Sequence, residues 1–170
     1  MPITVTAVSP SGPDARNLLS AYFEELISRY QGRPGRAEEV EAAMLDYPSD
    51  DLIAPNGAFL LARRGGTPLG CAGLRVRPDG VGPHRVGPHR VGEVTRVFVV
   101  PSARRLGLGA RLLAELETVA RAYEIVRLEL DTRDDLVEAR RLYVHCGFEE
   151  VPAFNANDYA EHWFVKYLDK

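Results

Sequence analysis

The segment from Glu93 to Ala120 constrains the fold most, because its apolar pattern changes from strand-like to helical across one short loop. Residues 93–100 (EVTRVFVV) alternate and stop at Pro101, which predicts a strand. The apolar residues after the loop recur at helical spacing: Leu108, Leu112, Leu113, Leu116, Val119 and Ala120. A strand that passes through a tight loop into a helix is a building unit of α/β folds.

The loop inside this segment has the residues of an anion site. Arg104 and Arg105 are followed by Gly107 and Gly109 at the start of the predicted helix. The first amides of a helix have no internal partner and lie at the positive end of its dipole, and arginines add charge-assisted hydrogen bonds. A Walker loop is excluded because the chain has no Gly-Lys pair, and a dinucleotide fingerprint fails because Leu112 occupies its third glycine position.

The other apolar patterns predict an alternation of strands and helices. The order is β-α-α-β-β-β-α-β-α-β-β, with strands that include 3–8, 57–64, 69–77, 93–100, 125–130 and 162–168, and helices near 18–30, 36–47, 108–120 and 134–146. Hairpins combined with helical crossovers imply a mixed sheet. We therefore predict one α/β domain over residues 1–170, with six to seven strands covered by about four helices.

A tandem repeat interrupts this order. Residues 81–85 and 86–90 both read VGPHR, and a further Val-Gly follows. Two prolines and several glycines disfavour a helix and a regular strand pair. We predict a mobile insertion loop over about residues 79–92.

Composition excludes several classes of function. The 21 Lys and Arg against 24 Asp and Glu give a net charge of -3, so no basic footprint for nucleic acid exists. The longest apolar run is about five residues, against the ~20 that a bilayer crossing needs. Neither a secretory signal nor metal-ligand spacing of the two cysteines is visible. We expect a cytoplasmic protein without a metal, a nucleic-acid partner or a membrane partner.

Two motifs together resemble the GNAT acetyltransferase superfamily. Arg104-x-x-Gly107-x-Gly109 is similar to its [QR]-x-x-G-x-[GA] acetyl-CoA motif, in register with the preceding strand. Residues 139–148 (ARRLYVHCGF) are similar to its A-x-x-L-Y-x-x-x-G-F pattern. The separation of the two motifs fits one intervening helix and strand, and the element order agrees from Ile3 to Leu168.

The resemblance implies roles for particular residues. The pantetheine arm of acetyl-CoA would pair with the strand, and its diphosphate would meet the loop. The implied cofactor-binding residues are Val97, Phe98, Val99, Arg104, Arg105, Leu106, Gly107, Leu108, Gly109 and Ala110. Tyr143 stands where the family often has the general acid that protonates the CoA thiolate, with a buried packing tyrosine as the alternative. Glu93 is the candidate base, with a solvated strand-opening carboxylate as its alternative.

The acceptor is the least specified partner. We expect a primary amine of a small or amino-acid-like metabolite, with Tyr22, Asn155 and Asn157 as candidate contacts. A protein N-terminal or lysine acetyltransferase is the second hypothesis, and a non-catalytic acyl-CoA sensor is the third. A homodimer is a further open expectation.

Overall fold

A computed structural model describes residues 1–77 and 90–168 of the chain. Seven strands and four helices alternate in the predicted order, with one short 3-10 turn at Pro101–Ala103. The strands are β1 Ile3–Ala7, β2 Gly57–Arg64, β3 Thr67–Arg77, β4 Arg90–Val99, β5 Ile125–Thr132, β6 Glu149–Val151 and β7 His162–Tyr167. The helices are α1 Pro13–Gln31, α2 Ala37–Asp46, α3 Leu108–Ala122 and α4 Val137–His145. The predicted fold class is confirmed.

All seven strands form one sheet in the order β1-β2-β3-β4-β5-β7-β6. Only β4 and β5 are parallel; each other neighbouring pair is antiparallel. Side chains alternate between the two faces, so Phe59 and Leu61 pack with α1 while Leu60 and Ala62 pack with α3. None of the helices in the described part of the chain is both long and apolar enough to span a membrane.

The first residues of β4 correct the predicted loop. Residues 90–92 belong to the strand, while the rest of the predicted insertion, including both copies of the repeat up to residue 89, lies outside the described residues. Gly92 is buried, and an added Cβ would lie 2.9–3.0 Å from Leu74, Ile125 and Leu128. The glycine therefore serves close packing between strands and does not mark a loop.

The predicted fourth helix also starts later than expected, at Val137 instead of Asp134. The polar side chains before the helix form other contacts. Arg133 forms two hydrogen bonds with the Asp135 carboxylate, and Asp134 accepts one from His162. These contacts hold residues 133–136 as a connector that ends the fifth strand. Local polar bonding thus overrides helix propensity here.

The central parallel pair separates partway along its length. Pairing between β4 and β5 runs from Arg90 to Glu93, where Glu93 lies opposite Glu129. Beyond this point β4 pairs only with β3, and β5 pairs only with β7. The sheet therefore opens between its two middle strands.

Arginines neutralise the two carboxylates at the fork. Arg77 bonds both Glu93 and Glu129, and Arg127 donates to Glu129 at 3.1 Å. The Arg127 and Glu129 side chains are 3% and 2% exposed. Burial raises the pKa of Glu129, against the attraction of Arg127 and Arg77. The fork is therefore held by a buried ionic network in which each carboxylate needs its cation.

Glu129→Gln should lower the free energy of unfolding by about 3 kcal/mol, because it removes a buried carboxylate charge that binds both Arg127 and Arg77. Urea denaturation measures the free energy of unfolding of the wild type and of each variant. The control is Glu138→Gln, which removes a carboxylate that pairs with Arg29 but is 75% exposed, and should cost less than about 1 kcal/mol. Equal losses in the two variants would contradict the role given to the fork network.

Candidate active site

A cleft of about 1740 Å³ opens where β4 and β5 diverge. Its walls come from α1, α2, the second half of β4, the loop before α3, the end of β5 and α4. Pockets for small molecules are typically about 300–1,000 Å³. This cleft therefore has room for a long ligand and a second, small one.

The loop before α3 presents backbone amides to one end of the cleft. Arg105 (φ +66°) and Gly107 (φ +75°) are both left-handed, and α3 begins at Leu108 with no side chain capping its amides. A Cβ built on Gly107 would meet nothing within 4 Å. The open amides at a helix N-terminus fit a diphosphate, as the sequence motif predicts.

Gly109 has a different physical role from the predicted one. An added Cβ there would lie 2.8 Å from a methyl group of Leu142 on α4. This glycine allows α3 and α4 to pack closely, in addition to lining the cleft. Leu106, another predicted contact, is 57% exposed and lies outside the cleft lining.

The two loop arginines are not equivalent. Arg104 donates to the Val99 carbonyl oxygen at 2.9 Å and to the Glu25 carboxylate at 2.7 Å, and its guanidinium lies over the Phe98 ring. It therefore anchors the loop to β4 and α1. Arg105 is exposed, lines the cleft and forms no ion pair within the described residues, so its charge is available to an anion.

The end of β4 offers backbone groups to the cleft. Val97, Phe98 and Val99 all line it. The Val100 amide donates to Leu69 on the β3 side at 2.9 Å. Because successive amides of a strand point to opposite sides, the Val99 N–H faces the open side between β4 and β5. An extended ligand can pair with β4 there as an added strand would.

Tyr143 of α4 lies at the bottom of the cleft. Its ring packs edge-on against Phe148 and near Phe164, and the residue is 7% exposed. The hydroxyl forms no hydrogen bond with any other described residue. Burial raises the pKa of Tyr143, so the phenol keeps its proton at neutral pH and can donate it.

Glu93 lines the cleft but its carboxylate is already engaged. Arg77 bonds one oxygen, and Arg75 lies 3.5 Å from the other. Both carboxylate oxygens are therefore occupied by guanidinium groups of the neighbouring strand β3. This geometry favours a structural role for Glu93 over the base that the family resemblance implies.

Two of the three candidate acceptor contacts bind one residue that sequence reasoning missed, Asp131 at the end of β5. Asn155 and Asn157 donate side-chain N–H groups to its two carboxylate oxygens at 2.8 and 3.0 Å. Tyr22 and Asn157 line the cleft beside it, whereas Asn155 lies outside the lining. The alternation of β5 places Asp131 on the same face as Glu129, a signal that could have found it.

A second missed residue is Arg96, in the middle of β4. It has φ +57°, and the β3–β4 register shifts around it, so β4 carries a bulge at this position. Its guanidinium lines the cleft and lies 5.1 Å from the Phe23 ring centroid. No pattern in the sequence marks a bulge at an arginine.

Comparison with known proteins agrees with this geometry. Residues 14–148 match the acetyltransferase (GNAT) family, so the chain belongs to that family. It is an acetyltransferase, an enzyme of acetyl-CoA-dependent acyl transfer.

One relative is similar in sequence, and two solved structures are similar in fold. The chain is 35% identical over 126 residues to an IAA acetyltransferase from Azospirillum brasilense, covering 74% of each chain. Among solved structures, its fold is similar to the PaiA N-acetyltransferase of Thermoplasma acidophilum in complex with coenzyme A (TM-score 0.70, 17% identity, 99% and 100% coverage). It is also similar to a GNAT-family acetyltransferase from Staphylococcus aureus (TM-score 0.73, 17% identity, 99% and 100% coverage).

Gly107→Val should abolish most of the stabilisation by acetyl-CoA, because a branched side chain would fill the open space over the loop amides. Acetyl-CoA at 100 times its dissociation constant should raise the free energy of unfolding of the wild type by about 2.7 kcal/mol. Urea denaturation with and without acetyl-CoA measures the difference.

The matched control is Gly32→Val. Gly32 ends α1 with φ +69°, also with nothing within 4 Å of an added Cβ, and lies outside the cleft lining. Both variants should lose about 1–2 kcal/mol without ligand from the left-handed backbone. If Gly107→Val keeps the full gain from acetyl-CoA, the diphosphate site is not at this loop.

Proposed function

We propose that the protein transfers the acetyl group of acetyl-CoA directly to a primary amine of a small metabolite, with both substrates bound at once. The observation that supports this most is the continuity of the cleft. One space joins the amides of the loop before α3 to the half-buried Asp131, with Tyr143 at its bottom. A donor and a small acceptor can therefore meet there without a covalent enzyme intermediate.

The donor half of the cleft accounts for acetyl-CoA. The diphosphate would accept hydrogen bonds from the amides of residues 107–110 and from Arg105, and the pantetheine arm would pair with β4. The thioester carbonyl would then lie near Val99, whose free N–H can stabilise the developing oxyanion. Tyr143 would protonate the departing thiolate.

The acceptor half favours a cationic substrate. Glu39, Asp46, Asp50 and Asp51, on or just after α2, line the cleft, and two of them, Asp46 and Asp50, form no ion pair within residues 1–77 and 90–168. Carboxylates at the mouth attract an ammonium group and raise its local concentration. The relative from A. brasilense is named for IAA; we propose an amine for this chain because of its own acidic mouth.

The second hypothesis is a protein N-terminal or lysine acetyltransferase. The cleft lining includes carboxylates that would also attract a lysine side chain. A peptide could not pair with β4 as an added strand, however, because the pantetheine arm would occupy that strand edge. The third hypothesis is an acyl-CoA sensor without turnover. The Tyr143 hydroxyl is protonated and forms no hydrogen bond with the described residues, which favours catalysis over a sensor.

The acceptor class is tested by thiol release from acetyl-CoA with a panel of small primary amines, amino acids, and peptides with free N-termini or lysines. We expect small acceptors, amines or amino acids, to give a higher kcat/KM than any peptide. A clear preference for peptides would replace the proposal with the second hypothesis. Acetyl-CoA binding without thiol release for any acceptor would favour the sensor.

Tyr143→Phe should lower the single-turnover rate by roughly 10²- to 10⁴-fold, because it removes the proton donor and keeps the ring that packs on Phe148 and Phe164. Acetyl-CoA affinity should change much less. The control is Tyr123→Phe, which removes a hydroxyl bonded to the Gly57 carbonyl oxygen at 3.1 Å, away from the cleft. A drop below about fivefold in Tyr143→Phe would return this tyrosine to a packing role.

A further inference from the structure

Arg96 carries a positive charge that no carboxylate among the described residues neutralises by an ion pair. Its three guanidinium nitrogens donate to the Ser49 hydroxyl at 3.1 Å, the Thr95 hydroxyl at 2.8 Å and the Tyr47 carbonyl oxygen at 3.1 Å. All three acceptors are neutral. Asp51 is within electrostatic reach, but its carboxylate binds Arg75. The half-buried guanidinium thus keeps its charge and unused N–H groups.

The other arginines of the acceptor side are paired. Arg29 lies 3.3 Å from Glu138, Arg75 binds Asp51, and Arg133 forms a bidentate pair with Asp135. Arg104 binds Glu25. Arg105 is also unpaired among the described residues, but it belongs to the loop proposed to bind diphosphate. Arg96 is therefore the cation of the acceptor side that has room for an external anion.

Asp131 is the opposite case, an anion with only neutral partners. The side-chain amides of Asn155 and Asn157 hold both its oxygens, and Asn155 is itself fixed by the Trp163 indole N–H at 2.9 Å. Amide donors bind the carboxylate oxygens without bringing a compensating positive charge. No arginine, lysine or histidine forms an ion pair with Asp131 in the described part of the chain. Its position is rigid and its charge is available.

Tyr22 connects the two charges. Its ring centroid is 5.8 Å from the Arg96 guanidinium carbon. Burial raises the pKa of Tyr22, Arg96 opposes this shift, and Asp131 adds to it, as expected for a hydroxyl within electrostatic reach of both. Asp131 also contributes to the raised pKa of Tyr143. The cation, the anion and the proposed acid therefore border one part of the cleft.

We propose that the acceptor is an amino acid or a similar zwitterion, with its carboxylate on Arg96 and its ammonium group on Asp131. The planar guanidinium of arginine can bind a carboxylate with two parallel hydrogen bonds. A substrate that carries both a carboxylate and an ammonium group would neutralise Arg96 and Asp131 at once. This inference rests on the proposed amine acetylation and names its substrate class. Glu93, held by Arg75 and Arg77, takes no part in it.

Asp131 also takes a proton in this arrangement. It removes one from the ammonium group, and the free amine nitrogen forms a bond to the thioester carbonyl carbon. The carbon–sulfur bond then breaks, the thiolate takes the proton of Tyr143, and the second amine proton returns to the Tyr143 oxygen. The products are the N-acetyl amino acid, CoA thiol and one proton that Asp131 releases to water.

The test compares acceptors that differ only in the carboxylate, such as L-phenylalanine with 2-phenylethylamine and L-leucine with isoamylamine. In the wild type, the amino acid with the highest kcat/KM should exceed its own decarboxylated amine at least tenfold in kcat/KM. Arg96→Met should remove this preference by lowering the amino-acid value tenfold or more while leaving the amine value within about threefold. Arg96→Lys should keep part of the preference for the amino acid over its amine.

Arg29→Met is the matched control, since it removes a cleft arginine that is already paired. It should change the preference by less than twofold. Acetyl-CoA affinity and melting temperature are measured for every variant, because Arg96 also holds Tyr47 and Ser49. A preference for amines in the wild type, or equal losses for both acceptors in Arg96→Met, would overturn the zwitterion proposal. If only amines without a carboxylate give thiol release, the zwitterion proposal fails but the proposed amine acetylation stands. If no acceptor gives thiol release, both proposals are rejected.

Asp131→Asn should lower kcat/KM for both members of a pair by at least tenfold, since both contain the ammonium group. Asp131→Ser gives the same comparison if the asparagine variant does not fold. A larger loss in Glu93→Gln than in either Asp131 variant would assign the proton to Glu93 and contradict the role of Asp131.

Discussion

The separation of β4 from β5 beyond the Glu93–Glu129 pair is the constraint on which the rest of the structure depends. It interrupts hydrogen bonding in the middle of a sheet, where unpaired backbone groups are costly unless something satisfies them. The opening places two carboxylates at the fork, and these require Arg75, Arg77 and Arg127. In return, the sheet gains a cleft between its own strands that a ligand backbone can fill.

Around this opening, most arginines serve the protein itself. Arg29, Arg75, Arg104 and Arg133 all bind carboxylates, so they fix helices and loops and contribute little net charge to the cleft. Arg96 and Asp131, in the acceptor half, form their hydrogen bonds with neutral groups only among residues 1–77 and 90–168. The proposed recognition of the acceptor therefore depends on which charges the fold leaves uncompensated, and not on the number of charged residues in the lining.

The sequence predicted the order of elements and the loop before α3, because each follows from local periodicity or a short motif. It could not show that an added side chain at Gly107 would meet open space while one at Gly109 would meet Leu142, since both glycines look alike in the motif. The family resemblance implied Glu93 as a base, and its arginine partners could not be foreseen because they lie sixteen and eighteen residues away along the chain. Arg96 depends on a bulge that leaves no local pattern. The alternation of β5 marks Asp131, but the two asparagines that bind it lie in a distant loop, and that contact could not be predicted from the sequence.

Helix α1 connects the two halves of the cleft mechanically. Arg104 of the loop before α3 binds Glu25 on this helix, Arg133 after β5 donates to its Leu26 carbonyl oxygen, and the same helix carries Tyr22 to the acceptor side. A ligand that shifts the loop therefore also acts on the wall that faces the other substrate. Thermodynamic linkage makes such an effect reciprocal: whatever factor the donor contributes to acceptor affinity, the acceptor contributes to donor affinity. The Arg104–Glu25 pair is thus the contact through which the loop before α3 is mechanically linked to helix α1.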